Sequence, residues 1–161
     1  MPREINVFSG AGNHHYTGSH ARGVTVSDCY FENITHGACL DGNCMESFSF
    51  TGNYAQNVRY GVLCGYMKAG QISNNVFISS GEREEYASIF MTESENVEIC
   101  GNTVKNHSGH GIHIYNSKHL TVINNIISNI TGEGILISRC ISLDFANNSI
   151  DGEVINSYET L

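Results

Sequence analysis

The segment from Asn96 to Cys140 contains one unit twice. Val97-x-Ile99-x-x-Asn102-x-Val104-x-Asn106 and Leu120-x-Val122-x-x-Asn125-x-Ile127-x-Asn129 match position for position, and each is followed by a Gly-Ile-x-Ile run, at an offset of 23 residues. Apolar residues alternate with period two inside each unit, which is strand patterning, and units this short bury their apolar faces only by stacking on their neighbours. The repeat therefore predicts a solenoid of stacked strands before any other feature is considered.

Working outward from this pair, the first apolar position of each unit falls at Val24, Phe48, Gly70, Val97, Leu120 and Leu143, in steps of 24, 22, 27, 23 and 23 residues. In that register Cys29, Asn53, Asn75, Asn102, Asn125 and Asn148 form one column, and Asn33, Asn57, Asn106 and Asn129 form a second. Stacked amides can hydrogen-bond along the stacking axis where every coil bends at the same place, so both columns are expected to be asparagine ladders. Each coil should carry three strands, the third being Ala38-Cys39-Leu40, Val62-Leu63-Cys64, Ser88-Ile89-Phe90, Ile112-His113-Ile114 and Ile135-Leu136-Ile137. The first and third members of each triplet are expected to point into the core, which makes Cys39, Leu63, Ile89, His113 and Leu136 an apolar outer stripe. The 27-residue step places extra residues near Gly81 to Glu85. Ile5-x-Val7 matches only the last strand of a unit, and a polar loop from Phe8 to Arg22 follows it.

With these residues in place, the chain resembles the right-handed parallel β-helices of the pectin-lyase-like superfamily, over about Val24 to Ile155. The resemblance rests on the N-V-x-I-x-x-N-x-I/V-x-N repeats, the asparagine columns and the G-I-x-I strands. It implies an all-β, right-handed, single-stranded parallel β-helix of about six coils of 22 to 27 residues. It also implies a polysaccharide as partner, with lyase, glycoside hydrolase or phage tailspike depolymerase activity, and a trimer of helices packed side by side. No aspartate-rich calcium cluster, DPHE motif or NTD motif of those enzymes is present, so no catalytic residue carries over. Scaffold alone does not determine chemistry.

Read without the resemblance, the residue before each third-strand Gly or Ala forms a polar column of His36, Tyr60, Tyr86, His110 and Glu133. Rings and acid-base groups aligned at strand spacing suit a groove for an extended sugar chain, the rings stacking and His or Glu moving protons. His36, Asp41, His110 and Glu133 are the candidate catalytic residues. Tyr60, Tyr86, Arg59, His14 and His15 are the candidate substrate contacts. The alternative is that the column merely shields the edge of each coil, the chain being a non-catalytic binding or assembly module.

The formal net charge of -8 disfavours nucleic acid and anionic membrane surfaces as partners. It favours a neutral polysaccharide unless Arg59, Lys68 or Arg139 gathers on the groove face. No run approaches the length of a membrane span, and MPREINVFSG does not read as a signal peptide, so no membrane insertion and no export signal are expected. Six cysteines read as free thiols; the Cys39/Cys44 spacing lacks a second pair, so neither a metal nor a cofactor is expected. Residues 1–161 are expected to form one domain: a partial first coil with its loop over 1–23, regular coils over 24–155 and a tail over 156–161, as the C-terminal part of a longer protein that works as a homo-oligomer.

Overall fold

A computed structural model describes residues 5–8, 23–41, 46–79 and 87–158. All regular structure in it is β-strand. The strands stack in parallel because each coil presents its apolar residues to one shared interior, and neighbouring strands lie about 4.8 Å apart. One six-stranded sheet holds the first strand of every coil, from Val24–Ser27 at one edge to Ile141–Ala146 at the other. Val24 pairs with Phe48, Phe48 with Gly70, Gly70 with Val97, Val97 with Leu120 and Leu120 with Leu143. That is the register the repeat predicts. The second and third strands merge into an eleven-stranded sheet, since Tyr30–Asp41 and Tyr54–Gly65 each continue through the corner as one long strand.

The interior is a continuous column of side chains. Phe31, Phe50 and Phe77 stack at centroid distances of 6.0 and 6.1 Å, and Ile99, Val122, Ile112, Ile114 and Ile137 are fully buried further along. The asparagine column bends every coil at the same point. Asn53, Asn75, Asn102, Asn125 and Asn148 are buried, and each donates its side-chain amide to a backbone carbonyl: Val26, Phe50, Ile72, Ile99 and Val122 in turn. The ladder begins at Cys29, whose backbone N–H donates to Asn53 Oδ1 at 3.0 Å.

The second column is an exposed ladder in left-handed backbone. Asn33, Asn57, Asn106 and Asn129 have φ between 54° and 58°, a region that asparagine tolerates better than most residues. Asn57 donates to Asn33 at 2.6 Å and Asn129 to Asn106 at 2.9 Å, while Asp151 closes the column by accepting from the Asn129 N–H at 2.8 Å.

At the N-terminal end Ile5–Phe8 pairs in parallel with the last part of the first long strand, Ile5 opposite Ala38, as a third strand of a preceding coil would. At the other end the chain reverses. Asp151 and Gly152, both at positive φ, form a two-residue turn that lays Glu153–Ile155 antiparallel against Asn148–Ile150. Tyr158 then packs against Phe145 at 5.5 Å and accepts a hydrogen bond from the Ile137 N–H at 2.8 Å, so the tail covers part of the last coil.

The third coil departs from the expected register by one residue. His110 pairs with Ala87, and Val62 with Ile89, so Ala87 occupies the polar column where Tyr86 was expected, and Ser88 takes the row of Gly37, Gly61, Gly111 and Gly134. Tyr86 lies outside the described residues. Ile89 and Met91 are fully buried and Phe90 is half-buried on the outer face. Among the described side chains the outer stripe therefore reads Leu63, Phe90, His113 and Leu136, not Ile89; the Cys39 side chain lies outside them. The physical reason is the insertion before this strand: Ala87 follows it and resembles the missing glycine, while alternation inside the strand fixes Ile89 and Met91 inward.

Candidate functional site: the outer face of the third-strand sheet

Two rows of outward side chains flank the apolar stripe. Along one edge, His36 and Tyr60 are paired residues on adjacent coils, and their rings stack at 5.0 Å with 10° between planes. The Arg59 guanidinium lies over the Tyr60 ring, 5.3 Å from its centroid. One face of Tyr60 is thus covered by His36 and another contact comes from Arg59, so the phenol meets a ligand with its edge and hydroxyl more than with an open face. Arg59 is anchored from two coils away. Buried His107 accepts from the Gly109 N–H at Nδ1, 3.1 Å, which leaves the ring proton on Nε2 to donate to the Arg59 carbonyl at 3.0 Å.

Further along the same row His110 Nδ1 accepts the Glu133 backbone N–H at 3.0 Å. This contact uses the Glu133 backbone, and its exposed side chain is left to solvent. His110 also meets His113 edge-on at 5.4 Å, and His113 meets Phe90 at 5.4 Å. Burial holds the His113 imidazole below its ordinary 6.5, with His110 adding to the shift. Of the four residues expected to be catalytic, only His110 and Glu133 are on adjacent coils; His36 is roughly 14 Å from His110 along the axis, three strand steps away. The Asp41 backbone ends the strand Tyr30–Asp41, but its carboxylate lies outside the described residues, as do His14 and His15.

The other edge of this sheet carries a site that the sequence reading missed. Where each third strand turns toward the next first strand, Tyr66, Glu93, Asn116 and Arg139 occupy equivalent corners, at φ of 58°, 50°, 48° and 54°. Asparagine accepts such backbone; tyrosine, glutamate and arginine hold it at a cost of about 1 kcal/mol or more. A third ladder lies beneath them: the Met67 N–H donates to Ser94 Oγ and the Ser94 N–H to Ser117 Oγ, at 3.2 and 3.0 Å. Together these corners enclose an open cleft of about 530 Å³. Lys118 pairs with Glu95 at 2.7 Å, which holds the Glu95 carboxyl below the usual range. Arg139 lies over the Tyr115 ring and donates to its hydroxyl at 2.7 Å. Asn116 donates to Glu93 at 2.6 Å. The signal in the sequence was there in Glu93-Ser94-Glu95 and Asn116-Ser117-Lys118, a repeated x-Ser-x at 23 residues, but it is masked by the stronger asparagine columns.

The family model of NosD, described as a periplasmic copper-binding protein, matches residues 4–160. The chain belongs to the NosD family. Comparison with curated proteins and with solved structures gives no significant match. Copper, the metal in the NosD description, needs converging imidazole or sulfur donors. Among the described residues no three His, Cys, Asp or Glu side chains come together so as to hold a metal ion. The described cysteines are also poor donors. Cys29 and Cys140 point their thiols at the Ser27 and Ser138 carbonyls, and burial raises the Cys100 and Cys140 thiols above their ordinary range, against the thiolate a metal requires. The described coils do not fit a copper centre.

Proposed function

We propose that this NosD-family β-helix is a binding module for a polysaccharide, which lies across the outer face of the third-strand sheet. The observation that carries the reading is the stacked His36–Tyr60 pair with Arg59 over it, in the row that continues to His110 and Glu133. Ring edges, a phenol hydroxyl and a guanidinium at strand spacing offer a hydroxyl-rich chain repeated donors and acceptors on one straight track. Binding is favoured over turnover because, among the described acid-base candidates, His36 stands three coils from His110, and His110 accepts from the backbone N–H of Glu133. Incubation with a glycan panel, read both by calorimetry and by reducing ends or unsaturated-uronate absorbance, tests this. Heat of binding without product is the expected result, and product formation would replace the binding module by a lyase or hydrolase.

Self-association belongs to the same proposal, with the row of Leu63, Phe90 and Leu136 as the face that meets a second copy. Light scattering should report an oligomer at tens of micromolar, and Leu63→Glu/Leu136→Glu should reduce it to a folded monomer. A monomeric wild-type protein would remove this part.

A further inference from the structure

The corner cleft beyond the apolar stripe gathers an unusual share of the chain's positive charge. Only eight lysines and arginines offset sixteen acids, yet Lys68, Lys118 and Arg139 all line this one cleft. Two of them are positioned rather than loose. Arg139 is held over Tyr115 by its bond to the phenol oxygen, which uses one of its five donors, and Lys118 is held by Glu95. Beside them stand two apolar surfaces that folding leaves uncovered, the ring of Tyr66 at 47% exposure and the side chain of Ile141 at 65%.

Tyr66 is the decisive residue. Its backbone sits at φ 58°, in a row where the equivalent residue two coils on is asparagine, so a residue that fits this corner better was available and the strained one is present. Strain of this kind clusters at sites where the side chain has a use, and about half of the Tyr66 surface is open to the cleft side of the chain.

We infer that this cleft binds a stretch of acidic sugar chain, with carboxylate-bearing units of the polysaccharide at its two ends, and so selects acidic over neutral glycans. The inference rests on the glycan reading given above and names its substrate class. Tyr66 with Lys68 stands at one end of the cleft and Ile141 with Arg139 at the other, three strand steps or about 14 Å apart. Each end receives one unit of the chain, its apolar side chain taking the ring face and its cation the carboxylate, while Glu93 between them accepts from hydroxyls. Glu93 and Glu95 in the same wall repel a polyphosphate, while a hydroxyl-rich ligand with one carboxylate per unit uses both signs of charge. The cleft lies at the corner where the sheet of the His36–Tyr60 row ends, six residues or about 20 Å along the strand at roughly 3.3 Å per residue, and it runs parallel to that row along the stacking axis.

The test uses the full chain and calorimetry with hyaluronan, alginate and oligogalacturonate hexasaccharides, each paired with its carboxyl-reduced counterpart. At least one acidic hexasaccharide should bind about tenfold or more tightly than its reduced form, the scale of one charge-assisted hydrogen bond. Lys68→Gln/Arg139→Gln should shrink that difference to about twofold or less, because the acidic form loses its charged partners. Tyr66→Asn should weaken acidic binding and yet keep or raise the melting temperature, because asparagine relieves the corner. Equal affinity for acidic and reduced forms, unchanged by Lys68→Gln/Arg139→Gln, would overturn the inference and leave the glycan reading standing. A Tyr66→Asn protein that melts lower and binds normally would make the ring structural and overturn it too. If no hexasaccharide of either kind binds, both readings fall.

Discussion

Asn125 Oδ1 accepts two hydrogen bonds from Asn102, one from its backbone N–H and one from its side-chain amide, both at 3.0 Å. The same double contact joins Asn75 to Asn102 and Asn125 to Asn148, so each buried amide satisfies its neighbour and is satisfied in turn. Asn102→Leu deprives the Asn75 N–H and the Ile72 carbonyl of their partners in the interior, at about 1 to 3 kcal/mol for each orphaned group. Chemical denaturation should show a loss of that size, whereas exposed Lys105→Ala should change stability by less than about 0.5 kcal/mol. Equal losses in the two variants would contradict the ladder's role.

The corner before the third strand has no room for a side chain at Gly111. A Cβ there would clash with the Gly134 carbonyl oxygen, which is backbone, and stand 2.8 Å from Ile127 Cγ2. Gly111→Ala should therefore cost about 1 to 3 kcal/mol in urea unfolding, as overpacking does. Ser88 already carries a side chain in the same row, so Ser88→Ala should cost under about 1 kcal/mol.

His113 should make the fold sensitive to mild acid. Its folded-state value is depressed, so the folded protein keeps the ring neutral while the unfolded chain takes up a proton near 6.5. The contribution is complete above that value and is lost as pH falls from it toward the folded value. His113→Leu, which copies Leu63 and Leu136 in the same row, should flatten the decline in denaturation midpoint between about pH 7.5 and about pH 5. An unchanged slope would place the acid sensitivity elsewhere.

Tyr158 ties the tail to the last coil. Tyr158→Phe removes the acceptor of the Ile137 N–H and should cost about 1 kcal/mol, and Tyr158→Ala should cost more because the contact with Phe145 goes as well. Hydrogen exchange should show the loss concentrated in 135–155.

The coil register was legible because its determinants are local and periodic: an apolar residue every second position and an asparagine at each bend give the same spacing in the chain as in space. The insertion before Ala87 broke that equivalence, and one residue of slip moved Ile89 from the outer face to the core. The C-terminal reversal was carried by Asp151-Gly152, a two-residue turn signal that the parallel pattern overshadowed. Tyr66 and Arg139 were hidden for a different reason. Their part in the cleft depends on corners from four coils meeting, and on left-handed backbone at residues whose type does not advertise it.

The most direct test of the binding account is the affinity of the wild-type chain and of Tyr60→Ala for whichever glycan of the panel it takes up, measured by calorimetry alongside thermal melting. The account predicts saturable binding by the wild type and a loss of about 1 kcal/mol, some fivefold in Kd, on removing the Tyr60 ring, with the fold intact. A wild-type protein that binds no glycan, or a Tyr60→Ala protein that differs only in melting temperature, would contradict it.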